Sequence, residues 1–237
     1  MSIVENIAAV REKINAAALR TGRNPSDITL IAVSKTFPAE NIREAYGSGL
    51  RIFGESRVQE FTEKAAALND LQNIDWRMIG HLQTNKAAKA AELFHAVDSL
   101  DSLRLAEKLN SAAEALGKKL PVLIEINVGG EAAKTGIVPD SQELENILQA
   151  APRLAHLEIR GLMTVPPFTE SPEGARTFFR KLNELRNEIA GRHLPNVNMD
   201  ILSMGMSHDF EVAIEEGSTC VRVGTAIFGK RNYVSGD

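Results

Sequence analysis

Two groups of residues in this sequence have the type and spacing to do chemistry. The first is Lys35, which ends the apolar run Thr29-Leu30-Ile31-Ala32-Val33-Ser34-Lys35. Leu30, Ile31 and Val33 favour a strand buried on both faces, as in a parallel sheet. A side-chain period of two puts Ile31, Val33 and Lys35 on one face and Leu30, Ala32 and Ser34 on the other. Lys35 thus leaves the strand at its carboxyl end, where parallel α/β folds place their chemistry. Partial withdrawal from water disfavours an ammonium ion, and the free amine condenses with an aldehyde. For Lys35 taken alone, a side chain snorkelling to solvent is the better reading. The second group lies near the end of the chain, in Ser203-Met204-Gly205-Met206-Ser207 and Arg222-Val223-Gly224-Thr225. Glycines permit close approach, Ser203, Ser207 and Thr225 supply hydroxyls, and Arg222 supplies charge. Together they have the chemistry of a phosphate cradle. The plainer alternative is that Gly205 and Gly224 only turn the chain.

The elements that must position these groups can be read from periodicity. Ser2 and Glu5 have capping-box spacing, and Ile3, Ile7, Val10, Ile14, Ala17 and Ala18 then recur as a helical face ending at Gly22. This helix precedes the first strand, so it lies outside the sheet or plugs its lower end. Strands are predicted over 29–35, 50–54, 76–80, 94–98, 122–128, 157–163, 198–203 and 220–224. Helices fall between them: from 38, over 58–68, from about 84, and over 101–116, 140–151, 172–191 and 209–216. Asp101 and Asp209 are the expected caps of two of these helices. Such alternation means a parallel sheet. Eight units in 237 residues, against about 250 for a typical (β/α)8 barrel, predict one closed TIM-type barrel over 1–237 with an extra N-terminal helix. Its single mouth would collect Lys35, Ser56, His81, Asp98, Asn127, Met163, Ser203 and Arg222. The loops after strands seven and eight are the recurrent phosphate site of that fold.

In a barrel the lysine and the cradle face each other across the mouth. A ligand carrying both an aldehyde and a phosphate satisfies both, and pyridoxal 5'-phosphate (PLP) is the obvious one. A sugar-phosphate aldolase working through a Schiff base is the rival that the same residues allow. Arg222 alternates with Val221 and Val223, so it points into the barrel, toward either the pyridine nitrogen or the phosphate. An arginine at that nitrogen leaves it unprotonated and weakens the ring as an electron sink.

Bulk properties remove other classes. A net charge of -4, no basic block and 5% aromatic residues argue against a nucleic-acid surface. Cys220 is the one cysteine, so no internal disulfide forms; a reducing cytoplasm is the expected location. Its apolar surroundings predict a buried, inert thiol. No apolar stretch has membrane-spanning length, and the N-terminus does not read as a signal peptide. The five histidines show no metal-ligand spacing, and no metal is expected.

Five segments carry a family resemblance. They are Leu30-Ile31-Ala32-Val33-Ser34-Lys35, Phe53-Gly54-Glu55-Ser56-Arg57-Val58-Gln59-Glu60, Ile79-Gly80-His81-Leu82-Gln83-Thr84-Asn85-Lys86, Leu202-Ser203-Met204-Gly205-Met206-Ser207 and Val221-Arg222-Val223-Gly224-Thr225-Ala226-Ile227-Phe228-Gly229. Over essentially its whole length the chain resembles the pyridoxal-phosphate homeostasis proteins. The resemblance implies a barrel like the N-terminal domain of alanine racemase (fold type III among PLP proteins), with PLP held as a Schiff base on Lys35. It also implies that Ser203, Gly205, Ser207, Arg222, Gly224 and Thr225 surround the phosphate and ring. The family usually carries asparagine where Ser56 stands here, and often histidine at the place of Arg77.

Racemisation through such a cofactor needs a second acid or base on the face opposite the lysine. In racemases a tyrosine from a second, β-rich domain supplies it, and the resemblance implies that this domain is absent. Tyr46 falls in a helix and Tyr233 in the terminal segment, so no catalytic residue is assigned. His208-Asp209 reads more simply as a helix start than as a dyad, and Lys86 and Lys134 as solvated lysines than as transient acceptors of the aldehyde. The expected function is PLP buffering or delivery, with apo PLP-dependent enzymes as possible recipients. A PLP-dependent, racemase-like enzyme is the alternative.

Overall fold

Short strands, most of them with isoleucine, valine or leucine, pair in parallel, in chain order, until the last meets the first. In the computed structural model, which describes residues 1–131 and 134–230, the strands are β1 (Thr29–Val33), β2 (Ile52–Glu55), β3 (Asp75–Met78), β4 (Ala96–Leu100), β5 (Leu120–Glu125), β6 (Leu157–Met163), β7 (Val197–Ser203) and β8 (Cys220–Val223). They close as the expected barrel, β1 pairing with both β2 and β8. The helices are α1 (Ile3–Arg20), α2 (Ala39–Gly47), α3 (Val58–Ala67), α4 (Ala87–Leu93), α5 (Leu103–Ala115), α6 (Gln142–Ala150), α7 (Arg176–Gly191), α8 (Phe210–Glu215) and α9 (Thr225–Phe228). Between sheet and helices, Phe61 packs on Trp76 and Phe94 with ring centroids 4.6 and 4.8 Å apart.

The extra helix forms as its spacing predicts. The Ser2 hydroxyl accepts the Glu5 N–H, the Glu5 carboxylate accepts the Ser2 N–H, and the six expected apolar residues are buried. It does not plug the barrel. It lies on the flank, where Asn6 Nδ2 donates to the Ile227 carbonyl at 2.8 Å and Arg20 pairs with Glu215. Among the described residues, no helix is long and apolar enough to cross a membrane.

Element ends shift where an apolar residue serves the neighbouring helix. Phe94 ends α4, its N–H bonding the Ala90 carbonyl, so β4 starts at Ala96 and runs two residues beyond the expected end. Asp101 is not a cap: Ser102 caps α5 by accepting the Leu105 N–H, and Asp101 instead meets His81 Nδ1 at 2.8 Å. β1 ends at Val33, which leaves Lys35 in the following turn.

Candidate functional site

Lys35 is half-buried just beyond β1. Its turn is closed by the Phe37 N–H donating to the Ser34 carbonyl (3.1 Å). Phe37 then packs against Phe228 of α9, ring centroids 5.0 Å apart, which ties the lysine's turn to the far end of the chain. Lys35 lines a cavity of about 290 Å³ with Val33, Ile79, Val165, Met206, Ser207, His208, Arg222, Gly224 and Thr225. That size is at the low end of small-molecule pockets, roughly 300–1,000 Å³. A larger cleft of about 410 Å³ opens among α1, Arg51 and the amino ends of β1 and β2. It is at the wrong end of the strands for Lys35 and lacks the glycine and hydroxyl cluster, so the smaller cavity holds the chemistry.

Lys35, Ser207, Arg222, Gly224 and Thr225 therefore come together as the sequence predicts. Ser207 Oγ accepts the N–H groups of Gly224 and Ala226, both at 3.2 Å, which joins the loops after β7 and β8. With its lone pairs so used, the hydroxyl has its proton left to donate. Ser203 and Gly205 act from behind the cavity wall. Fully buried Ser203 accepts Arg222 Nη1 at 2.7 Å, and the Thr164 carbonyl accepts Nη2 at 2.7 Å. The Gly205 carbonyl accepts the Arg222 backbone N–H at 3.0 Å. Burial lowers the pKa of Arg222 from its ordinary value, opposed by Cys220, Asp98, Glu125 and Asp209. A guanidinium remains a cation even so.

Asp209 sits at the start of α8 but makes no capping bond, because its carboxylate turns back to accept the Met206 N–H at 2.6 Å. Burial holds its pKa above the usual carboxylate range, against that bond, Arg222 and His208. His208 stacks on exposed Phe168 at the rim, ring centroids 6.1 Å apart. Tyr46 bonds the Gln72 carbonyl and is not among the residues lining the cavity; Tyr233 lies outside the described residues. Lys134 donates to the Pro166 carbonyl and pairs with Glu131. Among the described residues no acidic, histidine or cysteine cluster is placed to hold a metal ion.

Two interior groups were not assigned their roles from sequence. Asp98 is not at the mouth; with β4 extended, it lies fully buried, its oxygens 3.3 and 3.4 Å from Arg77 Nη1. Arg77 Nε also reaches Asp75 at 3.2 Å. Burial raises the pKa of Asp98, with Arg77 and Arg222 pulling it back. Arg77 thus neutralises a carboxylate below the cavity floor, and the alternation of Asp75, Arg77 and Ile79 with Trp76 and Met78 was the available signal. The second group is Glu125. Parallel register pairs it with Met163, and Met163 with Ser203, so it shares the inward face with Ser203. Its Oε1 accepts the Thr135 hydroxyl at 2.8 Å, while Oε2 is buried with no hydrogen-bond partner. An amine, hydroxyls beside glycine backbone and a buried cation fit a polar aldehyde phosphate, and Glu125 is not among the residues lining the cavity.

The family model for the alanine racemase N-terminal domain matches residues 6–232. A pyridoxal phosphate homeostasis protein of Aquifex aeolicus is 46% identical over 233 residues, 98% of this chain and 100% of that protein. The chain belongs to the pyridoxal phosphate homeostasis protein family. Among solved structures, PipY of Synechococcus elongatus with PLP bound has a TM-score of 0.83 and 37% identity, covering 96% of this chain and 100% of PipY. Alanine racemase of Streptomyces coelicolor, 21% identical with a TM-score of 0.65, shares the fold; the match covers 93% of this chain and 57% of the racemase.

Proposed function

We propose that this protein binds PLP at the mouth of its barrel and serves cofactor homeostasis, buffering PLP or delivering it to apo PLP-dependent enzymes in the cytoplasm. The observation that carries this reading is that Lys35 and the Ser207, Gly224 and Thr225 cluster line one cavity with Arg222. The names of its relatives and the PLP-bound PipY support it. PLP supplies an aldehyde for the lysine and an anionic phosphate for the loops. In this reading Lys35 holds the aldehyde end covalently as a Schiff base. Ser207, Gly224 and Thr225 hold the phosphate by hydroxyl and backbone donors. Arg222 is kept in place by Ser203, Thr164 and Gly205, and presents a cation to the ring or phosphate. Val33, Ile79 and Val165 contribute apolar surface that limits water around the lysine.

The purified protein is expected to be yellow. Borohydride should fix its absorbance band onto a peptide containing Lys35, and Lys35→Ala should lose the band. Undiminished PLP binding by that variant overturns the assignment of Lys35.

A further inference from the structure

The turn that carries Lys35 is gripped from behind by three charged side chains that the cavity itself does not use. Lys64, in the last turn of α3, is 12% exposed. Its Nζ donates to the Ser34 carbonyl at 3.1 Å and lies 3.2 and 3.3 Å from the two oxygens of Glu55 and 2.7 Å from Glu60 Oε1. Fully buried Glu55, at the end of β2, accepts the Ser34 hydroxyl at 2.7 Å. Glu60 accepts the Thr36 N–H at 2.6 Å. The Ser34 N–H also donates to the Gly54 carbonyl at 3.0 Å. The residue before Lys35 is therefore held at its N–H, carbonyl and hydroxyl, and the residue after it at its N–H.

Ser34 and Lys35 point to opposite sides of the barrel wall, so these bonds act from the helix side while the lysine enters the cavity. Thr36 has a φ of +69°, which a β-branched residue avoids. Such strain persists where the surroundings over-determine it, and the Glu60 bond is one such constraint. The cluster is also electrostatically closed. Burial raises the pKa of Glu55, with Lys64 as the first force opposing it; at Glu60 burial is outweighed by Lys64 and the Thr36 N–H, which lower it.

We infer that Lys64, Glu55 and Glu60 are positioning residues for Lys35, a clamp that sets the angle at which its amine meets an aldehyde at the mouth. This rests on the reading of Lys35 as the covalent anchor. In that step the amine nitrogen bonds to the aldehyde carbon, and the carbonyl oxygen leaves as water with the two amine hydrogens. Misplacement by about 1 Å can slow such a step by ~10²-fold.

Glu60 is the residue to alter, because it is more exposed than Glu55 and Lys64. Glu60→Ala removes the acceptor for Thr36, and Glu60→Gln keeps a neutral one. In protein without PLP, amide hydrogen exchange should show Thr36 losing protection in Glu60→Ala and keeping it in Glu60→Gln, with the barrel strands unchanged. On adding PLP, the Lys35 band should grow on the order of ten-fold or more slowly in Glu60→Ala, and near the parent rate in Glu60→Gln. Competition by inorganic phosphate should be equal in all three proteins. Thr36 protection that survives in Glu60→Ala overturns the clamp, as does an unchanged capture rate when the parent shows the band. A parent without the band overturns the anchor and the clamp together.

Discussion

Replacing Gly205 with alanine tests how tightly the loop after β7 is built. Gly205 has a φ of +96°, and an added Cβ would stand 2.5 Å from Ala213 Cβ and 2.8 Å from Phe210 Cα, both in α8. Neither atom is the movable tip of a flexible side chain, so the loop or the helix must shift. A left-handed backbone costs a residue other than glycine about 1–2 kcal/mol. Overpacking a filled interior typically costs about 1–3 kcal/mol. The two together predict a loss of roughly 2–5 kcal/mol. At about 2–4 °C per kcal/mol for a chain of this size, the melting midpoint should fall by roughly 4–20 °C. The Gly205 carbonyl holds the Arg222 N–H, so PLP capture should weaken as well. Gly47 is the control, since it ends α2 with nothing within 4 Å of an added Cβ. Gly47→Ala should leave stability unchanged or raise it by about 0.4–1 kcal/mol. Urea and thermal unfolding followed by circular dichroism would measure both. A Gly205→Ala protein within about 0.5 kcal/mol of the parent would refute the steric argument.

Two further expectations concern buried groups. Burial, with the Asp101 carboxylate adding to it, raises the pKa of Glu125 against the pull of Thr135, Arg222 and His81. The folded protein therefore keeps this proton to higher pH than the unfolded chain. Stability from the group is present at low pH and is lost as pH rises through the raised folded value. Glu125→Gln should remove that loss, so its stability relative to the parent should rise as pH increases above the ordinary glutamate range; urea midpoints that run parallel with pH would contradict it. Burial, then Asp98, pushes the Cys220 thiol up to about 11. A chromogenic disulfide reagent should leave native Cys220 untouched and titrate it once the chain is unfolded; rapid labelling of the native protein would show an open route through the barrel wall.

Much of the architecture was legible because its signals are local. The β6 boundaries agree with the expected ones, since buried Leu157, Ile159 and Gly161 alternate with half-buried Glu158 and Arg160 before Leu162 and Met163, a local strand period. The capping box of α1 needs only residues three apart. Legibility failed at junctions. Phe94 reads as strand by its type and serves a helix by its place, and that shift moved Asp98 from the mouth into the interior. The sequence groups Ser203 and Gly205 with the cradle, whereas their contacts are with Arg222 and α8 behind the cavity wall.

By itself the sequence determined the closed alternation of strands and helices, the face from which Lys35 emerges, and the glycine and hydroxyl chemistry near the end of the chain. These follow from periodicity and residue type within one or two turns of backbone. Only the tertiary structure decided that Arg77 answers Asp98 from 21 residues away, that Lys64 reaches the carbonyl of Ser34, and that Glu125 keeps an unmatched oxygen inside. The physical reason is register. Which charges meet depends on how neighbouring strands and helices are staggered once the cylinder closes, and no short window of residues encodes that stagger.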